Sequence, residues 1–516
     1  MQEYIVGLNK DVDYDAFWNE IQTTTSGLTY IPDRAVSIAN ARVGSKRLTH
    51  YTLSDEEATL LKNDPRVYCV EIPPSKRTDI TIEPLSVQSS NKYDFAKVYD
   101  VTGNKKNWGL IRVKSKSNLY GNSTSTNEDY LYTLDGKGVD VVIQDTGIQA
   151  DHPEWLDNEG NSRLQQINWY TEAGVAGTQP DNLYTDYYGH GTHCAGIAAG
   201  RTFGFAKNAR IYSQKLAGLK PSWDPNEGIP VEDSFDLIRL WHNAKSGSRP
   251  TVVNMSWGYG SYLSSGVDSI TYRGTTHNSP TAESCINYGL PSVSSTELWQ
   301  HNTRVDSVDV EIQEMIDDGI HVVMAAGNSN TKCDIISGDD YDNYFTKNST
   351  NYYYNRGGSP YDDEAIQVGS IDASVHDTDT DKKSTFSNAG PGVDIYAPGS
   401  YIVSACSNEA KSGWLTGSYY ENSSYKQANV SGTSMAAPQV VGVVALMLQV
   451  NPTASPSSIK TSLVNSAGSA LLEGVSNDYS DDSTMGGENN VLFNKFGNSG
   501  TPLEFNLPIN ANISLK

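Results

Sequence analysis

Cysteine is scarce. There are five residues in 516 (Cys69, Cys194, Cys285, Cys333 and Cys406), none in a C-x-x-C pair. That excludes a disulfide-stapled scaffold and a close-set zinc cluster, and the odd count leaves at least one thiol unpaired within the chain. Positive charge is also short: 38 Lys plus Arg stand against 61 Asp plus Glu, a net charge of −23. This argues against any general affinity for nucleic acid or an anionic membrane. The opening Met1-Gln2-Glu3-Tyr4 lacks the basic residues and apolar stretch of a secretory signal. The longest strongly apolar run, near 439–450, is too short to span a bilayer. These absences predict a soluble protein, intracellular or packaged in a particle, with neither nucleic acid nor membrane as partner. No internal repeat is visible. Phe, at 10, is rare beside Tyr, at 31, an amphipathic choice suited to wet surfaces and interfaces. What is present is 37% hydrophobic, enough for sizeable cores, in a chain long enough for more than one domain.

Residues 4–8, 35–40, 48–53 and 67–72 read as strands, and 14–22 and 54–63 as helices. The second helix opens on a Ser54/Glu57 capping box and stops at Asp64-Pro65. The order β-α-β-β-α-β predicts a small α+β (ferredoxin-like) domain over 1–75. Residues 76–136 are polar and read as a linker plus the outer wrapping of the next domain. Over 137–470, nearly continuous apolar strands (138–144, 251–255, 320–326, 366–371) alternate with helical stretches (190–199, 231–244, 305–318, 434–450). Ser455-Pro456 starts one more helix, 456–466. This pattern predicts a doubly wound α/β domain whose mostly parallel sheet is buried on both faces. Polar insertions interrupt it near 259–304, 331–363 and 405–429, and 471–516 reads as a polar tail or docking arm.

Four positions carry chemistry. Asp145 ends the first buried strand, in VVIQDTGIQADHP, and open α/β sheets place their sites at the carboxyl ends of strands. His190 opens a helix between Gly189 and Gly191, in YYGHGTHCAG. It and His193 also have the look of a metal pair, though no third ligand sits at a suitable spacing, and spacing alone does not say which would act as a base. Ser434 begins an apolar helix in VSGTSMAAP, where the dipole and free N–H groups favour developing negative charge. Asn328 closes another buried strand in VVMAAGNSN, and its amide can donate to an oxyanion. Each alone fits a turn, a cap or a core role. Together they meet the requirement for an activated nucleophile with an oriented base.

DTGIQADHP, GHGTHCAG, AAGN and SGTSMAAP, in this order, resemble the four signatures of the subtilisin-like serine proteases, over about 137–470. HGTHC and NWGLIRV (107–113) resemble the proteinase K branch. The resemblance implies a serine endopeptidase acting on polypeptides, with Asp145 orienting the base, His190 as the base and Ser434 as the nucleophile. Asn328 and the backbone N–H of Ser434 would form the oxyanion hole. Ser256-Trp257-Gly258 resembles the family's substrate-pairing edge strand, and with Ala325-Ala326-Gly327 would wall the specificity pocket. Trp257 stands where Leu is usual. SDEEATLLKNDPRVYCVEIPP resembles the end of the family's propeptide, which implies that 1–75 is an intramolecular inhibitor cut from the rest somewhere within 73–106. No cofactor is implied for the chemistry. A structural calcium ion, common in the family, is expected if the acidic loops 337–343 and 376–381 are more than solvated surface. A rival reading makes the chain an assembly component, for example of a virus particle, on the same scaffold with dormant activity. The missing signal, the retained N-terminal domain, the Tyr- and Asn-rich insertions and the polar tail motivate it, the last two as docking surfaces for an assembly partner.

Overall fold

The computed structural model describes residues 1–23, 27–85, 107–219, 228–373, 380–469, 479 and 483–496, except 122, 124, 125, 127 and 292. Strands β1 (Gln2–Leu8), β2 (Ile38–Asn40), β3 (Leu48–Leu53) and β4 (Val67–Glu71) form an antiparallel sheet in the order β2-β3-β1-β4. Of the stretch 35–40 only its last three residues pair as a strand. Helix α1 (Tyr14–Gln22) is N-capped by Asp13, and α2 (Asp55–Leu61) carries the Ser54/Glu57 capping box. Alternation along β1 sorts its side chains by face. Tyr4, Val6 and Leu8 pack with Phe17, Ile21, Ala58 and Leu61 of the helices. Ile5, with Leu48, meets Val310 of the larger domain instead.

The larger domain is built on nine strands. They are β6 (Asp140–Asp145), β7 (Leu164–Gln165), β8 (Arg210–Lys215), β9 (Thr251–Met255), β11 (His321–Ala325), β12 (Ile366–Ile371), β13 (Ile395–Pro398), β14 (Gly468–Ser469) and β15 (Asn490–Val491). The order is β14-β15-β13-β12-β11-β9-β6-β8-β7, parallel throughout except for the β14–β15 pair. Every residue of β6, β9, β11 and β12 is buried, because helices cover both faces. One face takes α3 (His190–Ala199) and α6 (Thr433–Val450), and the other α4 (Val231–Ala244) and α5 (Asp306–Asp317). Among the described residues α6 alone is long and apolar enough to cross a membrane, and it is the buried centre of the core.

The larger domain does not end near 470. Val491 pairs with Tyr396, Asn494 N–H donates to Val113 O at 2.7 Å, and Met485, Leu492 and Phe496 are buried. The acidic patch at 476–482, apart from Tyr479, and the arm at 501–516 lie outside the described residues. Two insertions meet: hairpins from 269–278 and 344–353 form one four-stranded sheet around Ile270, Trp299 and Phe345. The third insertion folds with 402–406 and 426–430 as a three-stranded sheet. All five cysteines are free and buried.

Candidate active site

Asp145, the last residue of β6, and His190, the first of α3, are both fully buried. Asp145 Oδ1 and Oδ2 lie 2.8 and 3.0 Å from His190 Nδ1. A carboxylate only accepts, so Nδ1 carries the proton and Nε2 is left with its lone pair. That Nε2 is buried and, among the described residues, has no hydrogen-bond partner. His193 differs. Its Nε2 lies 3.1 Å from the carbonyl of Ala428, and burial pushes its pKa down to about 3, which keeps it neutral within the core. The choice the HGTH spacing left open therefore falls on His190. Asp145, His190 and Cys194 also offer ligand atoms within 4.8 Å of one another. The imidazole is committed to Asp145, however, and burial holds the Cys194 thiol protonated, its pKa well above the usual value.

Ser434 sits in the first turn of α6, behind Gly432, whose φ of +150° is a conformation that a side chain would strain. Pro438 explains how the turn is held. It supplies no N–H to the carbonyl four residues back, and that carbonyl, of Ser434, instead accepts from Ser256 Oγ at 3.1 Å and Cys194 Sγ at 3.4 Å. Ser434 Oγ donates to Ser256 O at 2.8 Å rather than to His190. Asn328 follows Gly327 at φ +103°, and its Oδ1 accepts from both N and Oγ1 of Thr433, at 2.9 and 2.8 Å. The carbonyl end of the amide is thereby committed, which leaves the NH2 end to donate.

The cleft holds the chain's own segment. Strand β5 (Thr81–Pro84) lies antiparallel to β10 (Trp257–Leu263), pairing Pro84 with Trp257 and Glu83 with Gly258. Ile82 also bridges to Leu219 on the other side. One residue on, Leu85 N–H donates to Ser256 O at 2.9 Å, and Ser434 N–H donates to Leu85 O at 3.1 Å. A Cβ at Gly258 would stand 3.4 Å from Leu85 Cδ1, an ordinary van der Waals contact, so this position lies against the leucine side chain. Leu85 packs against the apolar cluster that contains Ala325 and Ala326. Gly327 N–H is used internally, on Thr433 Oγ1. Trp257 contributes backbone only. Its side chain is buried against Phe235 and Tyr259, so it does not shape the pocket as a substitute for leucine.

In the acidic loops the buried carboxylates among the described residues already have partners, and 376–379 lie outside the described residues. In the first, Asp340 is already held by Arg273 and Lys332, which overcome its burial and keep its pKa below the usual range, and Lys332 also approaches Asp334. Asp381, at the described end of the second, is buried in a fork with Arg112. These carboxylates are neutralised by side chains of the chain itself.

A carboxylate-held imidazole and a hydroxyl at a helix start, both at the carboxyl edge of a parallel sheet, are the parts that a serine nucleophile with an oriented base requires, in an α/β protein. Residues 136–498 match the model of the subtilase family, and the chain belongs to that family. It is 26% identical over 415 residues to alkaline serine exoprotease A of Vibrio alginolyticus, covering 80% of this chain and 54% of that one. It is 29% identical to a subtilisin-like protease of Coccidioides posadasii, covering 68% and 52%. The chain thus spans about half the length of these curated relatives. Among solved structures, fervidolysin from Fervidobacterium pennivorans, a keratinolytic enzyme related to subtilisin, superposes with a TM-score of 0.53 over 96% of this chain and 60% of that one. At 17% identity this speaks to the fold alone.

Proposed function

We propose that the chain is a serine endopeptidase made as a zymogen, that residues 1–85 are its inhibitor, and that its first substrate is its own Leu85–Ser86 bond. The observation that carries the reading is the pair of hydrogen bonds on Leu85, its N–H to Ser256 O and its carbonyl to Ser434 N–H. These put a peptide carbonyl in the place where an oxyanion would be stabilised. In the reaction, Ser434 Oγ–H turns from Ser256 O to His190 Nε2, gives up its proton and attacks the carbonyl carbon. Asp145 holds the imidazolium, and Ser434 N–H with the Asn328 NH2 stabilises the oxyanion. His190 returns the proton to the departing amine, and water then releases the acyl group by the same steps in reverse order. Polypeptides with leucine or a similar apolar residue at the acyl position fit the same place.

The test is to purify the full chain, incubate it, and read the new N-terminus by mass spectrometry while labelling with a fluorophosphonate. A fragment starting at Ser86 and a label on Ser434 are expected. Cleavage at a different bond would discard the Leu85 register, and no label on Ser434, even after limited proteolysis of the first 85 residues, would discard the hydrolase. Asn328→Ala is expected to lower kcat about 10²–10³-fold with little change in KM, read with a leucine-terminated peptide p-nitroanilide.

A further inference from the structure

Asp186, which the sequence motifs do not include, is fully buried beside the Asp145–His190 pair, and the scheme above gives it no part. Its carboxylate accepts five hydrogen bonds. They come from Thr146 Oγ1 (2.8 Å), Tyr188 N (3.2 Å), Gly189 N (2.7 Å), Thr192 N (2.9 Å) and Thr192 Oγ1 (2.6 Å). All five are donors, which suits the ionised form, and none is a cation. Thr146 follows Asp145, and Gly189 precedes His190. The two elements also touch directly: Gly191 N–H donates to Thr146 Oγ1 at 2.9 Å, and a side chain at Gly191 would fall 2.1 Å from Gly147 O.

We propose that Asp186 is a positioning residue, whose buried carboxylate fastens the strand end bearing Asp145 to the helix start bearing His190 and so sets the carboxylate–imidazole contact. The proposal rests on the hydrolase reading above. A contact of 2.8 Å between two separate elements is held only as well as the elements are held. Asp186→Asn keeps the size but swaps one acceptor oxygen for a donor that faces donors.

The test is a double-mutant cycle on the chain after its first 85 residues have been removed by limited proteolysis, with the same p-nitroanilide. Asp186→Asn is expected to lower kcat about thirtyfold, with KM changed less than about twofold. In an Asp145→Asn background, where the contact is already lost, the same substitution is expected to cost less than about twofold. Equal losses in both backgrounds, or no loss in the first, would overturn the proposal, since a role in general folding adds and a role through Asp145 does not. Should Asp186→Asn fold poorly, Thr146→Val removes one donor only and is expected to cost about threefold with the same non-additivity. If the unaltered chain releases no p-nitroaniline, the hydrolase reading fails. If it does, the cycle reads Asp186 alone.

Discussion

Ser434→Ala is expected to leave the chain at its full 516 residues, uncut between Leu85 and Ser86 however long it stands. Turnover of added peptide should fall by about five to six orders of magnitude. The expectation is large because, among the described residues, no neighbour of the hydroxyl can replace it. Cys194 Sγ touches the Ser434 carbonyl and lies 3.8 Å from His190 Nδ1, but it is buried and its pKa is pushed well up, so little thiolate forms. Ser256 Oγ is tied to the same carbonyl. The alanine chain should still fold, because the contacts that hold the turn run through the Ser434 backbone, which is retained: its N–H on Leu85 and its carbonyl on Ser256 and Cys194. Gel electrophoresis over days at room temperature, beside the unaltered chain, reads the result. A Ser86 fragment accumulating in the alanine variant, at the rate seen in the unaltered chain, would show that another protease makes the cut.

The parts of the site legible in the sequence are those whose geometry is local. GHGTHC and SGTSMAAP each hold their side chain and the glycine or proline that shapes its turn within a few residues, and the structure brings Asp145, His190, Ser434 and Asn328 to one place. What escaped is long-range. Thr81–Leu85 is a short polar–apolar alternation after two prolines, and nothing local says that it pairs with a strand more than a hundred residues on. Asp186 accepts from residues on two elements, so no single motif shows it. The orientation of Trp257 was within reach, because period-two alternation sends Ser256 and Gly258 to one face and the indole to the other. Residues 483–496 read as polar because Met485, Val491, Leu492 and Phe496 are spaced among glycine and asparagine, yet those four fill the edge of the core.

Arg42 is the least legible of these and has the second large expected effect. It lies on a loop of the small domain, where charge is ordinarily solvated, yet it is buried between α4 and α5 of the large one. Its Nε is 3.0 Å from Asp236 Oδ2 and its Nη2 is 2.6 Å from Glu311 Oε1. Around it, Arg239 holds Glu314 and Asp318, and Ser45 and Arg47 reach Glu314 and Gln313. Glu71 caps the start of α5 by accepting from Ser307 N–H at 2.9 Å. A buried pair of this kind adds little net stability, but removing one partner strands the other. Arg42→Ala strands two carboxylates, and burial already pushes the Glu311 carboxyl up against the pull of the guanidinium. The cut small domain should then bind about 3–5 kcal/mol more weakly, roughly 10² to 4 × 10³-fold. The lag between self-cleavage and full activity should shorten to match. Lys10, paired with Asp317 at 2.6 Å through side chains 53% and 40% exposed, gives the control, since Lys10→Ala should shift the lag by less than about a factor of five. Equal lags for both variants would mean that β5 in the cleft, and not the buried ion pair, holds the small domain after the cut.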